Sequence, residues 1–422
     1  MLYDHWRHIA DRSSKSIALR DLGTGEAWTF EELLRRTDCD TLIQKPIVFP
    51  QGVSADFIFT VLQAWRSNRV VCPVESGQRI PVIREALPEG VIHLKTTSAT
   101  TGAPRLVAFT EAQLAADARN IVATMGLTLK SPNIGVISLA HSYGFSNLVL
   151  PLLLHGIPLI LAGSVLPEAI KRSSGMEDAV TLPAVPALWA KWHQADAIPA
   201  NVCRAISAGA PLPLKLEQEI FEHRGLKVRN FYGSTECGGI AYDRSDVPRK
   251  DASFVGTPLE NVETGINGDG CLYITSAAVG QTYWPEPAVS LANGRFQTSD
   301  LVEIVDGLIY LRGRANDQIN VAGRKVLPEA IEGVLAAHPA VRECVIFGVP
   351  SSELGRGETI VACLALDQKA NADILKQYLL QQLPAWQVPR EWWFVDSLTA
   401  NERGKLSRVE WRKRFLEPTR NH

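Results

Sequence analysis

The chain has 422 residues, 46% of them hydrophobic, with 25 prolines and 31 glycines, which is the profile of a folded enzyme of two or three domains and excludes a disordered or fibrous protein. With 43 Lys and Arg against 45 Asp and Glu, no global field would hold it on nucleic acid or an anionic membrane. No apolar run reaches the length of a membrane span and the opening MLYDHWRHIADRSS has no signal-peptide core, so a cytoplasmic location is expected; seven cysteines without a C-x-x-C pair read as reduced, mostly buried thiols.

In chain order, Thr29 and Glu32 have capping-box spacing before LLRRT. Residues 55–68 (ADFIFTVLQAWRSN) predict a helix, and Val70, Val71 and Cys72 a buried strand. Thr110 and Gln113 are spaced to cap a helix running to Gly126. Apolar runs at 134–139, 157–162 and 202–207, separated by helix-like segments, give the alternation of a mainly parallel α/β sheet, whose functional loops sit at strand ends. Beyond residue 250, CLYIT, LVEIV and LIYLRGR, broken by Asn-Gly and Asp-Gly turns, predict a smaller β region. A helix beginning at Pro328, strands at 341–349 and 358–366 and a helix after Asn371 predict a separate α+β unit. The expected fold is therefore α/β: a large N-terminal domain of α/β layers with a β subdomain over 1–313, and a smaller α+β domain over 314–422.

Residues 97–105 read Thr-Ser-Ala-Thr-Thr-Gly-Ala-Pro-Arg. Small residues let backbone N–H groups approach phosphate oxygens, hydroxyls add donors, and an arginine supplies a charged fork. Alone, such a run also suits an ordinary Ser/Thr/Gly loop. Residues 230–236 read Asn-Phe-Tyr-Gly-Ser-Thr-Glu, in which a ring face suits a purine and a carboxylate is a hard ligand suited to magnesium carried with phosphates.

In order and spacing these segments resemble the TSGTTGxPK and NxYGxTE signatures of the adenylate-forming superfamily, which includes acyl-CoA synthetases, peptide-synthetase adenylation domains and firefly luciferase. Ala99 replaces a usual glycine, and Arg105 replaces the usual lysine, keeping charge while changing shape. The resemblance implies that Thr97, Ser98, Thr100, Thr101, Gly102 and Arg105 hold ATP phosphates. It implies that Asn230, Phe231, Tyr232 and Gly233 line the adenine site, with Tyr232 stacked on the base. Thr235 then donates to the α-phosphate or the acid, and Glu236 holds magnesium. Ser207 to Leu212 (SAGAPL) resembles the family's SGGAPL, so Gly209, Ala210 and Pro211 are expected at the nucleotide, and Ser207 and Gly209 at the acid.

Asp300, in QTSDL, is similar to the family's TGDL aspartate, which accepts hydrogen bonds from both ribose hydroxyls; Ser299 departs from the usual glycine. Residues 313–332 (GRANDQINVAGRKVLPEAIE) resemble GRxDDxIKxxGxRVxPxEIE. By that likeness Arg314 contacts the nucleotide, Asn316 is the hinge about which a mobile C-terminal domain turns, and Gly323 lines a thiol channel. Near the end, NERGKLSR places Lys405 where the family's catalytic lysine stands. A placed ammonium stabilises the charge that grows as a carboxylate attacks the α-phosphorus and pyrophosphate leaves. Read in isolation, the same segment is a basic exposed tail.

Residues 139–145 (LAHSYGF) resemble the family's acid-pocket segment and imply a pocket lined by His141, Ser142 and Tyr143, with Cys237 and Gly238 in its floor. Domains that take α-amino acids place an aspartate after the histidine position. Ser142 cannot neutralise an ammonium, so an aryl or acyl acid without an α-amine is expected. His141 reads equally well as a packed pocket wall. The implied activity is ATP- and Mg2+-dependent conversion of a small carboxylic acid to an acyl-AMP, then thioester formation on the pantetheine of CoA or of an acyl carrier protein. The alternative is a nucleotide-binding relative that acts as a scaffold or sensor. Only 67 residues separate Phe30 from Thr97, a shorter interval than the family shows, so a trimmed front is expected.

Overall fold

The computed structural model describes residues 1–97, 105–175, 177–351, 357–398 and 406–417. The local signals are realised where side chains satisfy helix ends. The Glu32 carboxylate accepts the Thr29 N–H at 2.8 Å and Thr29 Oγ1 accepts the Glu32 N–H at 3.2 Å, closing the box at the helix Phe30–Cys39. Gln113 Oε1 accepts the Thr110 N–H at 2.8 Å, and Gly126, at φ 60°, ends the helix Glu111–Met125. The helix expected over 55–68 stops at Arg66, because Asn68 turns left-handed at φ 53° and feeds the strand Val70–Val71.

Six parallel strands form the centre of the large sheet, in the spatial order Ile17–Asp21, Leu159–Leu161, Asn133–Gly135, Val180–Ala184, Val202–Ser207 and Val228–Ser234. Leaving Asn133–Gly135, the chain goes first to the strand on one side and then crosses to the strand on the other. Such a switch opens a crevice at the carboxyl ends of the strands. The strand expected over 134–139 is only three residues long for this reason: residues 136–141 leave the sheet towards the crevice. Beyond Val228–Ser234 the sheet continues antiparallel through Gly238–Tyr242, Phe254–Pro258, Leu308–Arg314, Arg295–Val305 and Cys271–Thr275, the β region expected after residue 250.

A second sheet of five strands contains Ile47–Val48, Val70–Val71, Val91–Thr96, Leu106–Thr110 and, far along the chain, Thr282–Trp284. The interval between Phe30 and Thr97 thus supplies two helices, Phe30–Cys39 and Ala55–Arg66, and three strands of this sheet. One apolar core runs from Leu2 to Ile309 and fills the large N-terminal domain. The smaller C-terminal domain has its own, in which Ile319, Ile331, Leu335, Ile346 and Leu375 pack the helices Pro328–Ala336 and Ala372–Leu380 on the strands Val341–Pro350, Glu358–Leu366 and Glu391–Phe394.

Among the described residues no helix is long and apolar enough to cross a membrane. All seven cysteines are free: Cys72, Cys237, Cys271 and Cys363 are buried, whereas Cys39 and Cys203 are exposed.

Candidate active site

The crevice at the strand ends is a single cleft built from five parts of the chain. Strand Val228–Ser234 and the turn after it bring Phe231, Tyr232, Gly233, Thr235 and Glu236; the end of Val202–Ser207 brings Ala208 and Gly209. From the antiparallel side come Phe296, Thr298, Ser299, Asp300 and Arg314, and Thr97 enters from the second sheet. The loop after Asn133–Gly135 brings His141, Ser142, Tyr143, Ser146 and Asn147. Ser146, Asn147, Phe296 and Thr298 were not singled out by sequence. The first two lie on a π-helical turn, Phe145–Val149, a geometry no periodicity announces.

That turn is reached because Gly144 passes against Ser138: a side-chain carbon on Gly144 would stand 2.0 Å from the Ser138 carbonyl oxygen. His141 Nδ1 accepts the Tyr143 N–H at 3.3 Å, capping the helical turn, so the ring is fixed as a wall of the cleft. Tyr143 lies 5.9 Å from Phe231, ring to ring, and its buried hydroxyl is held well above its ordinary pKa by desolvation.

Asp300 is doubly bound. The Tyr232 hydroxyl donates to Oδ2 at 2.5 Å, and Arg314 Nε donates to Oδ1 at 2.9 Å. Burial and the Asp300 charge push the Tyr232 phenol well up, so it serves as a donor. Burial opposes the charge on Arg314, but Asp300, Asp317 and Tyr232 together favour it, and the Arg314 pKa is raised. Glu236 Oε1 accepts the Tyr283 hydroxyl at 3.0 Å. Among the described residues no group of three His, Cys, Asp or Glu is placed to cage a metal ion.

The ends of the segment expected to hold phosphates are tied together: the Thr97 N–H donates to the Arg105 carbonyl at 2.8 Å, and the Arg105 N–H donates to Thr97 Oγ1 at 3.0 Å. Ser98, Thr100, Thr101 and Gly102, between these residues, lie outside the described residues, as does Lys405.

Several expected site residues stand behind the lining. The Asn230 amide donates to the Phe254 carbonyl at 3.4 Å, bracing strands rather than facing the cleft. Ser207 is fully buried in its strand, and Cys237 is buried with its thiol 3.3 Å from Ser234 Oγ; desolvation holds that thiol well above its ordinary pKa, and hence protonated. Ala210, Pro211 and Arg105 also lie outside the lining. Asn316 sits in the turn Ala315–Asp317, and Gly323, at φ 80°, turns the hairpin Ile319–Val321 to Arg324–Val326. Arg408, at the start of the last helix, ties that turn to the C-terminal domain through Asp317 at 2.9 Å, Glu329 at 2.8 Å and Glu332 at 2.6 Å.

Residues 54–284, more than half of the chain, match the family of AMP-binding enzymes, and residues 330–405 match the AMP-binding enzyme C-terminal domain. The chain therefore belongs to the AMP-binding enzymes, the adenylate-forming superfamily that its motifs resemble. It is 27% identical over 355 residues to a feruloyl-CoA synthase of Amycolatopsis, covering 78% of this chain and 71% of that one. It is also 27% identical over 368 residues to a probable 2-succinylbenzoate–CoA ligase of Mycobacterium tuberculosis, covering 82% and 91%. ATP-bound MatB from Rhodopseudomonas palustris shares the fold, with a TM-score of 0.86 at 19% identity over 99% of both chains.

Proposed function

We propose that the protein joins a small aryl or acyl acid to a thiol by way of an acyl-AMP. The carboxylate of the acid attacks the α-phosphorus of ATP and pyrophosphate leaves; the thiol of CoA, or of a carrier protein's phosphopantetheine, then attacks the acyl carbon and AMP leaves. One observation carries the reading. Tyr232, Thr235 and Glu236 from one strand end, Asp300 and Arg314 from the antiparallel side, and Thr97 at the phosphate-loop neck all converge on a single cleft.

Within it, Asp300 presents a carboxylate suited to a ribose diol, already oriented by Tyr232 and Arg314. Thr235 offers a hydroxyl to the α-phosphate or the acid. Glu236 fits magnesium as a single hard oxygen donor, as expected of an ion held by one carboxylate together with phosphates, where it would offset phosphate charge. Lys405 is assigned the stabilisation of charge on the reacting oxygens, carried in by rotation of residues 314–422 about Asn316, with Gly323 in the thiol channel thereafter.

The acid is assigned no α-amine. Among the described residues the only carboxylates lining the cleft are Glu236 and Asp300, and nearby Asp117 is paired with Lys95, so none of the described side-chain carboxylates is free to neutralise an ammonium beside Ser142. Acid-dependent pyrophosphate release, measured over benzoates, cinnamates, fatty acids and amino acids, tests the reading. Release driven best by amino acids would overturn the acid class, and ATP binding without release under any acid would favour a sensor. Mass spectrometry of products with CoA and with a loaded carrier protein separates the two thiols.

A further inference from the structure

Arg105 stands where the family's phosphate loop usually carries lysine, and its surroundings show what the planar side chain does. The strand Thr282–Trp284 runs antiparallel to Leu106–Thr110, with Tyr283 opposite Val107, so a distant segment lies along the exit of the phosphate loop. The Arg105 guanidinium carbon sits 3.7 Å from the centre of the Tyr283 ring, and Arg105 Nη2 donates to the Glu286 carbonyl at 3.2 Å. The same segment grips the other side of the site: the Tyr283 hydroxyl donates to Glu236 Oε1 at 3.0 Å, and the Gly280 N–H donates to the Glu236 carbonyl at 2.8 Å. Residues 280–286 therefore form a strap from the loop cation to the carboxylate assigned to magnesium.

We infer that Tyr283 is a positioning residue that sets Arg105 and Glu236 in register with one another. Its face receives the guanidinium, a contact a lysine ammonium would not match, because stacking on an aromatic ring is a property of the planar fork. Its hydroxyl fixes one Glu236 oxygen and so orients the carboxylate. Tyr283 is largely buried, with 7% of its surface exposed, and its strand is anchored by Trp284 Nε1 donating to the Ala86 carbonyl at 3.2 Å. The strap is thus fixed independently of the groups it holds, and the exchange of lysine for arginine at position 105 is matched by a ring placed to receive it. The inference rests on the ATP-binding reading above.

Calorimetric titration of ATP into the full-length protein, without acid and over a series of MgCl2 concentrations, tests both arms. Tyr283→Phe keeps the ring and loses the hydroxyl: the Mg2+ concentration for half-maximal ATP binding should rise roughly ten-fold, the loss expected for a hydrogen bond to a charged group. Arg105→Lys should weaken ATP binding at saturating Mg2+ about two- to five-fold. In a Tyr283→Leu background the same lysine substitution should change nothing further, since its effect passes through the ring. An unchanged Mg2+ requirement in Tyr283→Phe, or an equal Arg105→Lys loss in both backgrounds, overturns the inference while leaving the ATP-binding reading intact. Failure of the unaltered protein to bind ATP removes both. If Tyr283→Leu melts as an unfolded chain, Tyr283→Phe and Arg105→Lys decide, and both must show their losses.

Discussion

Lys95 Nζ and Asp117 Oδ2 form an ion pair 3.5 Å apart, each with about 3% of its side chain exposed, directly behind the cleft. Ser146 completes the group: its hydroxyl donates to Asp117 at 2.6 Å and accepts from Lys95 at 3.1 Å, while the same residue lines the cleft. Removing one partner strands a charge in a dry interior. Lys95→Met should therefore cost about 3–5 kcal/mol, whereas Lys95→Met with Asp117→Leu should cost less than either single change. Urea denaturation of the three variants measures this; a double variant weaker than both singles would refute it.

Gly238 belongs to the same arrangement. Its φ is 69°, and a side-chain carbon there would stand 2.0 Å from Asp117 Oδ1, while the next residue's N–H donates to that oxygen at 3.2 Å. Gly238→Ala must therefore either strain the turn after Glu236 or displace Asp117 from Lys95. The backbone term alone is about 1–3 kcal/mol, and pyrophosphate release should fall with it, because the turn carries Thr235 and Glu236. Wild-type melting and turnover in this variant would show that the turn tolerates a side chain.

The part of the cleft assigned to the nucleotide was largely legible in the sequence as a set of motif residues, and the part assigned to the acid was only partly so. Tyr232, Glu236, Asp300 and Arg314 lie in short, recognisable segments, and the structure brings all four into one cleft. Asn230 belongs to the same segment as Tyr232 yet does not line the cleft, because its amide is taken up by the Phe254 carbonyl of the neighbouring strand. Lys95, Asp117 and Ser146 come from a strand, a helix and a π-helical turn, and only tertiary packing brings them together. A lysine beside Leu94 in the short strand Val91–Thr96, which also holds His93, was the one available signal. Tyr283 was hidden for a similar reason: a three-residue strand pairs with a partner more than 170 residues earlier.

Lys405 is assigned to the first half-reaction alone. Lys405→Ala should lower the rate of acyl-AMP formation about 10²–10³-fold, the usual loss of one placed electrostatic contact. Thioester formation from a supplied acyl-adenylate should persist, because that step makes no pyrophosphate. Equal losses in both steps would instead place Lys405 in folding or in general binding.

His93 makes stability depend on pH. Its ring is fully buried, packed 4.3 Å from Phe145 and 6.4 Å from Phe109, and neither nitrogen has a hydrogen-bond partner among the described residues. Burial, and then the charge of Lys95, hold its pKa well below 6.5. The unfolded chain takes up this proton near pH 6.5, while the folded chain refuses it until far lower pH. Above pH 6.5 both forms are neutral at this residue and nothing is lost. Below that point the unfolded state binds more protons, so stability falls as pH drops, by up to about 1.4 kcal/mol per pH unit from this residue. His155, also lowered by burial, adds in the same direction. His93→Phe keeps the ring contacts and removes both unpartnered nitrogens. It should raise the unfolding midpoint at pH 7 and flatten the decline between pH 6.5 and 5, leaving the part that belongs to His155. Chemical denaturation at half-unit pH intervals measures the slope, and a slope identical in the two proteins would mean that the buried ring is not what resists the proton.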